Sequence, residues 1–171
     1  MLSTLLSHPN IASVSAYSRR DLPTTSPKLT PLNNADTSTW PGLFPKDSKL
    51  FLSALGTTRA AAGSIAAQRA IDLDLNYSLA QAAKAAGATT YVLISSNGAN
   101  AKSYFPYPAM KGELEEKVKA LGFEHTVIVR PGLILGDRQE SRWAEGVARG
   151  LAGMLGKVRR GLIEGWAQEA E

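Results

Sequence analysis

Tyr107 and Lys111 stand four residues apart in the stretch YFPYPAMKGELEEKV. On a helix that spacing puts both side chains on one face. An ammonium held beside a phenol favours the phenolate, which is the property a proton donor for a carbonyl needs. Upstream, Ser95 and Ser96 leave the run TTYVLISS at its carboxyl end, where a hydroxyl can hold a substrate carbonyl oxygen beside Tyr107. Taken singly these features are common: tyrosine and lysine meet at this spacing by chance, and paired serines after a strand are ordinary cap or turn residues. The order strand-end serine, helix tyrosine, following lysine is what makes a candidate proton-transfer triad.

Such a triad needs a scaffold, and the rest of the chain reads as one. IASVSAYS, KLFLSALG, TTYVLISS and HTVIVRPGLIL are near-continuous apolar runs of the kind found in strands covered on both faces, and KLTPL is a weaker candidate. Two helices separate the later strands. In YPAMKGELEEKVKALG, Met110, Leu114, Val118 and Leu121 recur at helical spacing and Gly122 supplies a stop; in RAIDLDLNYSLAQAAKAAG, Ile71, Leu75, Leu79 and Ala83 recur every four residues and Gly87 closes the helix. Strand, helix, strand, helix, strand makes right-handed βαβ units, hence an α/β fold: an open parallel sheet wound by helices, with ligands beyond the carboxyl ends of its strands. Between Leu22 and Lys46 five prolines and many Ser, Thr and Asn residues predict loop around one short edge strand. From Trp143 to Glu171 the chain leans to helix but carries Gly146, Gly150, Gly153, Gly156, Gly161 and Gly165, each costing about 1 kcal/mol in a helix interior. Small residues at those intervals equally allow close packing on a partner.

Composition narrows the chemistry. The chain has 171 residues, 44% of them hydrophobic, enough for one domain with a core. There is no cysteine, so disulfides, thiolate nucleophiles and cysteine-ligated metals are excluded, and the two histidines, His8 and His125, cannot form a metal site between them. The net charge of +4 comes from scattered Lys and Arg and argues poorly for nucleic acid, while an anionic cofactor or membrane surface stays compatible. No run reaches the ~20 apolar residues that span a bilayer, and MLSTLLSHPN lacks the marks of a signal peptide or presequence.

The serine, tyrosine and lysine order resembles the short-chain dehydrogenase/reductase superfamily. Within it, LSALGTTRAAAG, DLNYSLAQAAKAAG, YVLISSNGAN, YPAMKGELEEKV and VIVRPGLILGDRQESR follow one another as in the atypical Fmp52 group, over about residues 11 to 142. That resemblance implies a Rossmann-like, NAD(P)-binding domain, with residues 143–171 as its tail. It implies an NADP-dependent oxidoreductase in which Tyr107 is the general acid, Lys111 bonds the nicotinamide ribose, and Ser95 or Ser96 orients a carbonyl. By the same resemblance Arg19 and Arg20 fall where basic residues take the adenosine 2′-phosphate, which guanidinium geometry suits, so NADP is preferred to NAD. Leu55, Gly56 and Thr57 line the cofactor, Pro131, Gly132, Leu133 and Ile134 flank the nicotinamide, and Arg142 reaches an anionic group. The implied location is mitochondrial, as a peripheral protein of the outer membrane, with the cytoplasm as the alternative.

One departure tempers these expectations. Reductases of this kind carry a first strand and a Gly-x-x-Gly-x-x-Gly turn that meets the pyrophosphate, whereas this sequence opens in what resembles the second half of the helix after that turn. A shortened gene model or splice form and a truncated paralogue both account for it. The expectation is therefore an N-terminally truncated Rossmann-like domain that keeps its triad, binds NADPH weakly, and leans on a protein partner to cover the exposed sheet. A non-catalytic interaction or scaffold protein at the outer membrane is the competing class, and docking of the glycine-spaced tail into a larger assembly is a third.

Overall fold

The computed structural model describes residues 1–132. Leu133, Ile134, Arg142 and the tail from residue 143 onward thus lie outside the described residues. Residues 1–33 and the segment beginning at Asn34 fall in two compact units.

In the first unit a short helix α1 (Leu2–Ser7) precedes β1 (Val14–Ser18) and β2 (Leu29–Asn33). The two strands run parallel, in register from Val14 opposite Leu29 to Ser18 opposite Asn33. The weak KLTPL candidate is therefore a strand. Its Pro31 lacks an N–H, which β2, with a single neighbour among the described residues, tolerates because edge strands leave one row of donors unused.

In the second unit the proline-rich stretch expected to be loop contains a 3₁₀ segment, Thr37–Leu43, capped where the Asp36 side chain accepts from the Ser38 N–H. It seats Trp40 among the buried residues. Then come β3 (Leu50–Ser53), α2 (Arg59–Ala62), α3 (Ile65–Arg69), a π-helical segment (Ala70–Leu75), α4 (Asn76–Ala85), β4 (Thr90–Ile94), α5 (Pro106–Ala120) and β5 (His125–Val129). The strands form a parallel sheet in the order β3-β4-β5. Both strand-to-strand steps of this sheet cross through helix, the usual connection between parallel strands. Parallel sheets with flanking helices make this a Rossmann-like α/β fold. Where the sequence suggested one sheet, the described pairings form two separate ladders.

β4 explains the core. Tyr91, Val92, Leu93 and Ile94 are all buried, so both faces of the strand are covered. Against it pack Ala80 and Ala83 of α4, Met110, Leu114 and Val118 of α5, and Leu73 of the π segment. Each fully buried aliphatic side chain contributes about 1.5–3 kcal/mol. Tyr91 also bridges Phe51 and Phe123, with ring centroids 5.5 and 5.2 Å away.

Two boundaries differ from the sequence reading. β5 ends at Val129 rather than running on through the proline-containing RPGLIL, because Pro131 has no N–H to continue a ladder. The helix read as one piece over residues 69–87 is α3 and α4 joined by the π segment. The wider turn advances the buried face by about one residue, so Asp72, Leu73 and Asn76 are buried along with the expected Leu75, Leu79 and Ala83. Gly87 and Gly122, with φ of +86° and +65°, close their helices as the sequence indicates.

Candidate active site

Lys111 lies in the first half of α5, and its ammonium is turned inward rather than to solvent. The side chain is 5% exposed, and Nζ stands 3.2 Å from Oδ2 of Asp72, itself 1% exposed. Burying two charges is tolerable only with close pairing and further hydrogen bonds. Here the second carboxylate oxygen, Oδ1, accepts the Thr57 backbone N–H at 2.6 Å. The π segment is what carries Asp72 into this position.

Asp72 and Lys111 converge on the loop that leaves the carboxyl end of β3. Gly56 lies there, and a Cβ on it would come within 3.4 Å of Asp72 Oδ2 and 3.6 Å of Lys111 Nζ. The absent side chain thus leaves a cradle open directly over a buried charge pair. Leu55 and Thr57 flank it. Asn76 donates to the Leu55 carbonyl at 3.0 Å and Gln68 to the Thr57 carbonyl at 3.0 Å, so the helical segments brace both sides of Gly56.

Tyr107 sits one turn before Lys111 at the start of α5, opened by Pro106. Its ring lies 5.8 Å from Lys111 Nζ, a cation–π contact on the ring face. The side chain is 41% exposed, leaving the phenol accessible to a substrate, and it makes no hydrogen bond to either serine. The two serines themselves part ways. Ser95 is buried and its hydroxyl donates to Glu115 Oε1 at 2.5 Å. Ser96 is less buried, and its hydroxyl donates only to the adjacent Asn97 carbonyl, at 3.3 Å.

Glu115 is buried on α5, one turn beyond Lys111, and Arg130 at the end of β5 grips both its oxygens, Nε to Oε1 at 3.0 Å and Nη2 to Oε2. Burial pushes the Glu115 carboxyl up, but the bonds from Arg130 and Ser95 outweigh it and hold the group below the usual carboxylate range. The same pairing raises the Arg130 guanidinium. Next to it Pro131 accepts from the Asn97 N–H at 3.1 Å and ties the loop after β4 to the loop after β5, with Gly132 following.

Arg19 and Arg20 belong to the first unit. They follow the carboxyl end of β1, are exposed, and have no ion-pair partner among the described residues. Asp72, Asn76, Glu115 and Arg130 escaped the sequence reading. The signal for the first three was a polar residue repeating on an apolar helix face: Asp72 and Asn76 share a stripe with Ala80 and Ala83, and Lys111 and Glu115 share one with Leu114 and Val118, whereas Arg130 follows a strand and had no such signal.

The candidate site residues that the structure brings together are Gly56, Thr57, Tyr107 and Lys111, all at the carboxyl ends of parallel strands or on the helix that follows. Solved structures share the fold. UDP-glucuronic acid 4-epimerase from Bacillus cereus, in complex with NAD, superposes with a TM-score of 0.55 at 14% identity, over 81% of this chain and 54% of that one. The chain thus spans about half the length of that enzyme, and the likeness is one of fold. Sequence relatives are much nearer. "Protein fmp52, mitochondrial" of Emericella nidulans is 53% identical over 179 residues, covering 100% of this chain and 76% of the relative. The protein of the same name from Aspergillus fumigatus is 53% identical over 181 residues, with the same two shares. With the model of the HIM1 family also matching residues 41–158, the chain belongs to the HIM1 family, together with the Fmp52 mitochondrial proteins.

Proposed function

We propose that this protein is an NADP-dependent oxidoreductase of the short-chain dehydrogenase/reductase type, acting on a carbonyl compound or the corresponding alcohol. The observation that carries the reading is the buried Lys111 ammonium, which lies beside the open Gly56 cradle and against the face of the Tyr107 ring. A dinucleotide suits these residues. A ribose edge can approach the backbone at Gly56 as no residue with a Cβ would allow, and Lys111 can donate to its hydroxyls.

When bound, the nicotinamide supplies or accepts hydride. The chain's own residues handle the proton and the positioning. Tyr107, reachable from solvent, gives its phenolic proton to the oxygen of the carbonyl being reduced, and Lys111 lies against its ring. Ser96 donates to that same oxygen. Ser95 is poorly suited, since its hydrogen is committed to Glu115. Leu55 and Thr57 flank the cradle, and Pro131 and Gly132, with Leu133 and Ile134 beyond the described residues, border the nicotinamide. Arg142, also beyond them, is assigned to an anionic group of the substrate. Exposed guanidinium groups at Arg19 and Arg20 suit a phosphate monoester, the feature that separates NADP from NAD. By kinship with the Fmp52 proteins the site of action is the mitochondrion, at the outer membrane as a peripheral protein. No helix among the described residues is long and apolar enough to cross a membrane.

Titration with NADPH followed by NADPH consumption against a panel of aldehydes and ketones tests this reading. Tyr107→Phe should leave binding unchanged and cut turnover by about 10²–10⁴-fold. Absence of both binding and turnover in the unaltered chain would sink it. That result would favour a non-catalytic interaction protein, for which the exposed run Tyr104, Phe105 and Tyr107 offers an aromatic contact surface.

A further inference from the structure

Asp72 has no role in the chemistry just described, yet it is the residue on which the site's geometry converges. Its two carboxylate oxygens are divided between two elements: Oδ1 holds the Thr57 N–H at 2.6 Å, and Oδ2 holds Lys111 Nζ at 3.2 Å. Thr57 follows β3, Lys111 belongs to α5 after β4, and Asp72 belongs to the π segment between them. Three separate parts of the fold therefore meet at one carboxylate. Asn76, which donates to the Asp72 carbonyl at 3.1 Å and to the Leu55 carbonyl at 3.0 Å, fixes that segment against the same loop.

A buried carboxylate is an expensive way to hold a loop, because a neutral acceptor would satisfy the Thr57 N–H without the cost of desolvating a charge. What only the charge can do is hold an ammonium. Lysine carries its charge on a flexible four-carbon stem and without a fixed partner would spread over many rotamers. We propose that Asp72 is the positioning residue of this site: it anchors the Lys111 ammonium to the Gly56–Thr57 loop, so that both are already placed when ribose hydroxyls enter the cradle. The proposal rests on the cofactor reading above, and its test separates the two.

In the full-length protein, lysine amines are acetylated under limiting reagent and the labelled peptides quantified, alongside hydrogen exchange of the Thr57 amide and NADPH titration. In the unaltered chain Lys111 should label far more slowly than the exposed Lys102; equal labelling would overturn the anchoring at once. Asp72→Asn keeps an oxygen for the Thr57 N–H but removes the charge. Lys111 labelling should then rise about tenfold or more while the Thr57 amide stays protected, and the NADPH dissociation constant should rise by about tenfold. Asp72→Ala should release both Lys111 and the Thr57 amide. A folded Asp72→Asn protein with Lys111 as protected as before overturns the proposal. Failure of the unaltered chain to bind NADPH counts against the cofactor reading, and labelling still decides the placement of Lys111.

Discussion

Ser95 and Ser96 are neighbours of the same type, yet burial and partners give them different work. Ser95→Ala removes a donor from the buried Glu115 carboxylate, which should lower stability by about 1–3 kcal/mol in urea unfolding. Ser96→Ala should leave stability unaltered and lower turnover of any accepted carbonyl compound. The opposite pairing of effects would move the carbonyl contact to Ser95. Glu115 also carries a pH signature. Its carboxyl is held below the usual range in the folded chain, so the stabilisation is complete above the unfolded value of about 4.3 and is lost as pH falls through the lower folded value. Glu115→Gln should therefore flatten the stability profile on the acid side, measured as the unfolding midpoint against pH. In the proposed function Arg19 and Arg20 hold a different ligand group, the 2′-phosphate, by charge. Replacing both with alanine should weaken NADPH binding by about 10–100-fold and leave NADH binding unchanged, since a charged hydrogen bond is worth about 1.5–3 kcal/mol.

At the scale of elements, α5 is the part on which the site most depends, and a glycine decides how it packs. A Cβ on Gly112 would come within 2.1 Å of the Ala101 nitrogen and 2.3 Å of the Asn100 carbonyl carbon. These are backbone atoms of one stretch and cannot swing away, so Gly112→Ala must push the Asn97–Ser103 loop off the helix next to Lys111. A loss of about 1–3 kcal/mol is expected, the usual cost of overpacking, measured by urea unfolding with weakened NADPH binding alongside. Sequence alone located α5 because Met110, Leu114 and Val118 keep a helical period, and it located β4 because four apolar residues run together. It did not locate the π segment, since a single extra residue leaves the spacing of Leu75, Leu79 and Ala83 intact while rotating what precedes them. Asp72 was lost with it. The tyrosine, lysine and Gly56 were named from spacing and family resemblance, whereas the partners of Lys111 and Ser95 were not, because contacts between the π segment, the end of β4 and α5 are set by tertiary packing.

Over the described molecule, burial is unevenly shared, and stability should follow it. Every described residue that is buried lies between Trp40 and Phe123, and none lies in residues 1–33. Among the described residues the β1–β2 ladder is a two-stranded parallel pair whose residues are at most partly buried, and such strands have less apolar area to offset the entropy of ordering them. β4, by contrast, is paired on both edges and covered on both faces. Local opening free energies should therefore form a gradient along the chain. Native-state hydrogen exchange should find the slowest amides in β4 and the buried face of α5, exchanging only through global unfolding, and the amides of β1 and β2 exchanging through a separate opening of lower energy. Arg19 and Arg20 follow β1, so, if they take the 2′-phosphate as proposed, this gradient bears on the cofactor as well. A phosphate monoester bound there should slow β1–β2 exchange in proportion to its occupancy, and NADPH should protect these amides more than NADH does. Equal protection by the two nucleotides would remove the 2′-phosphate from Arg19 and Arg20 even if both nucleotides bind.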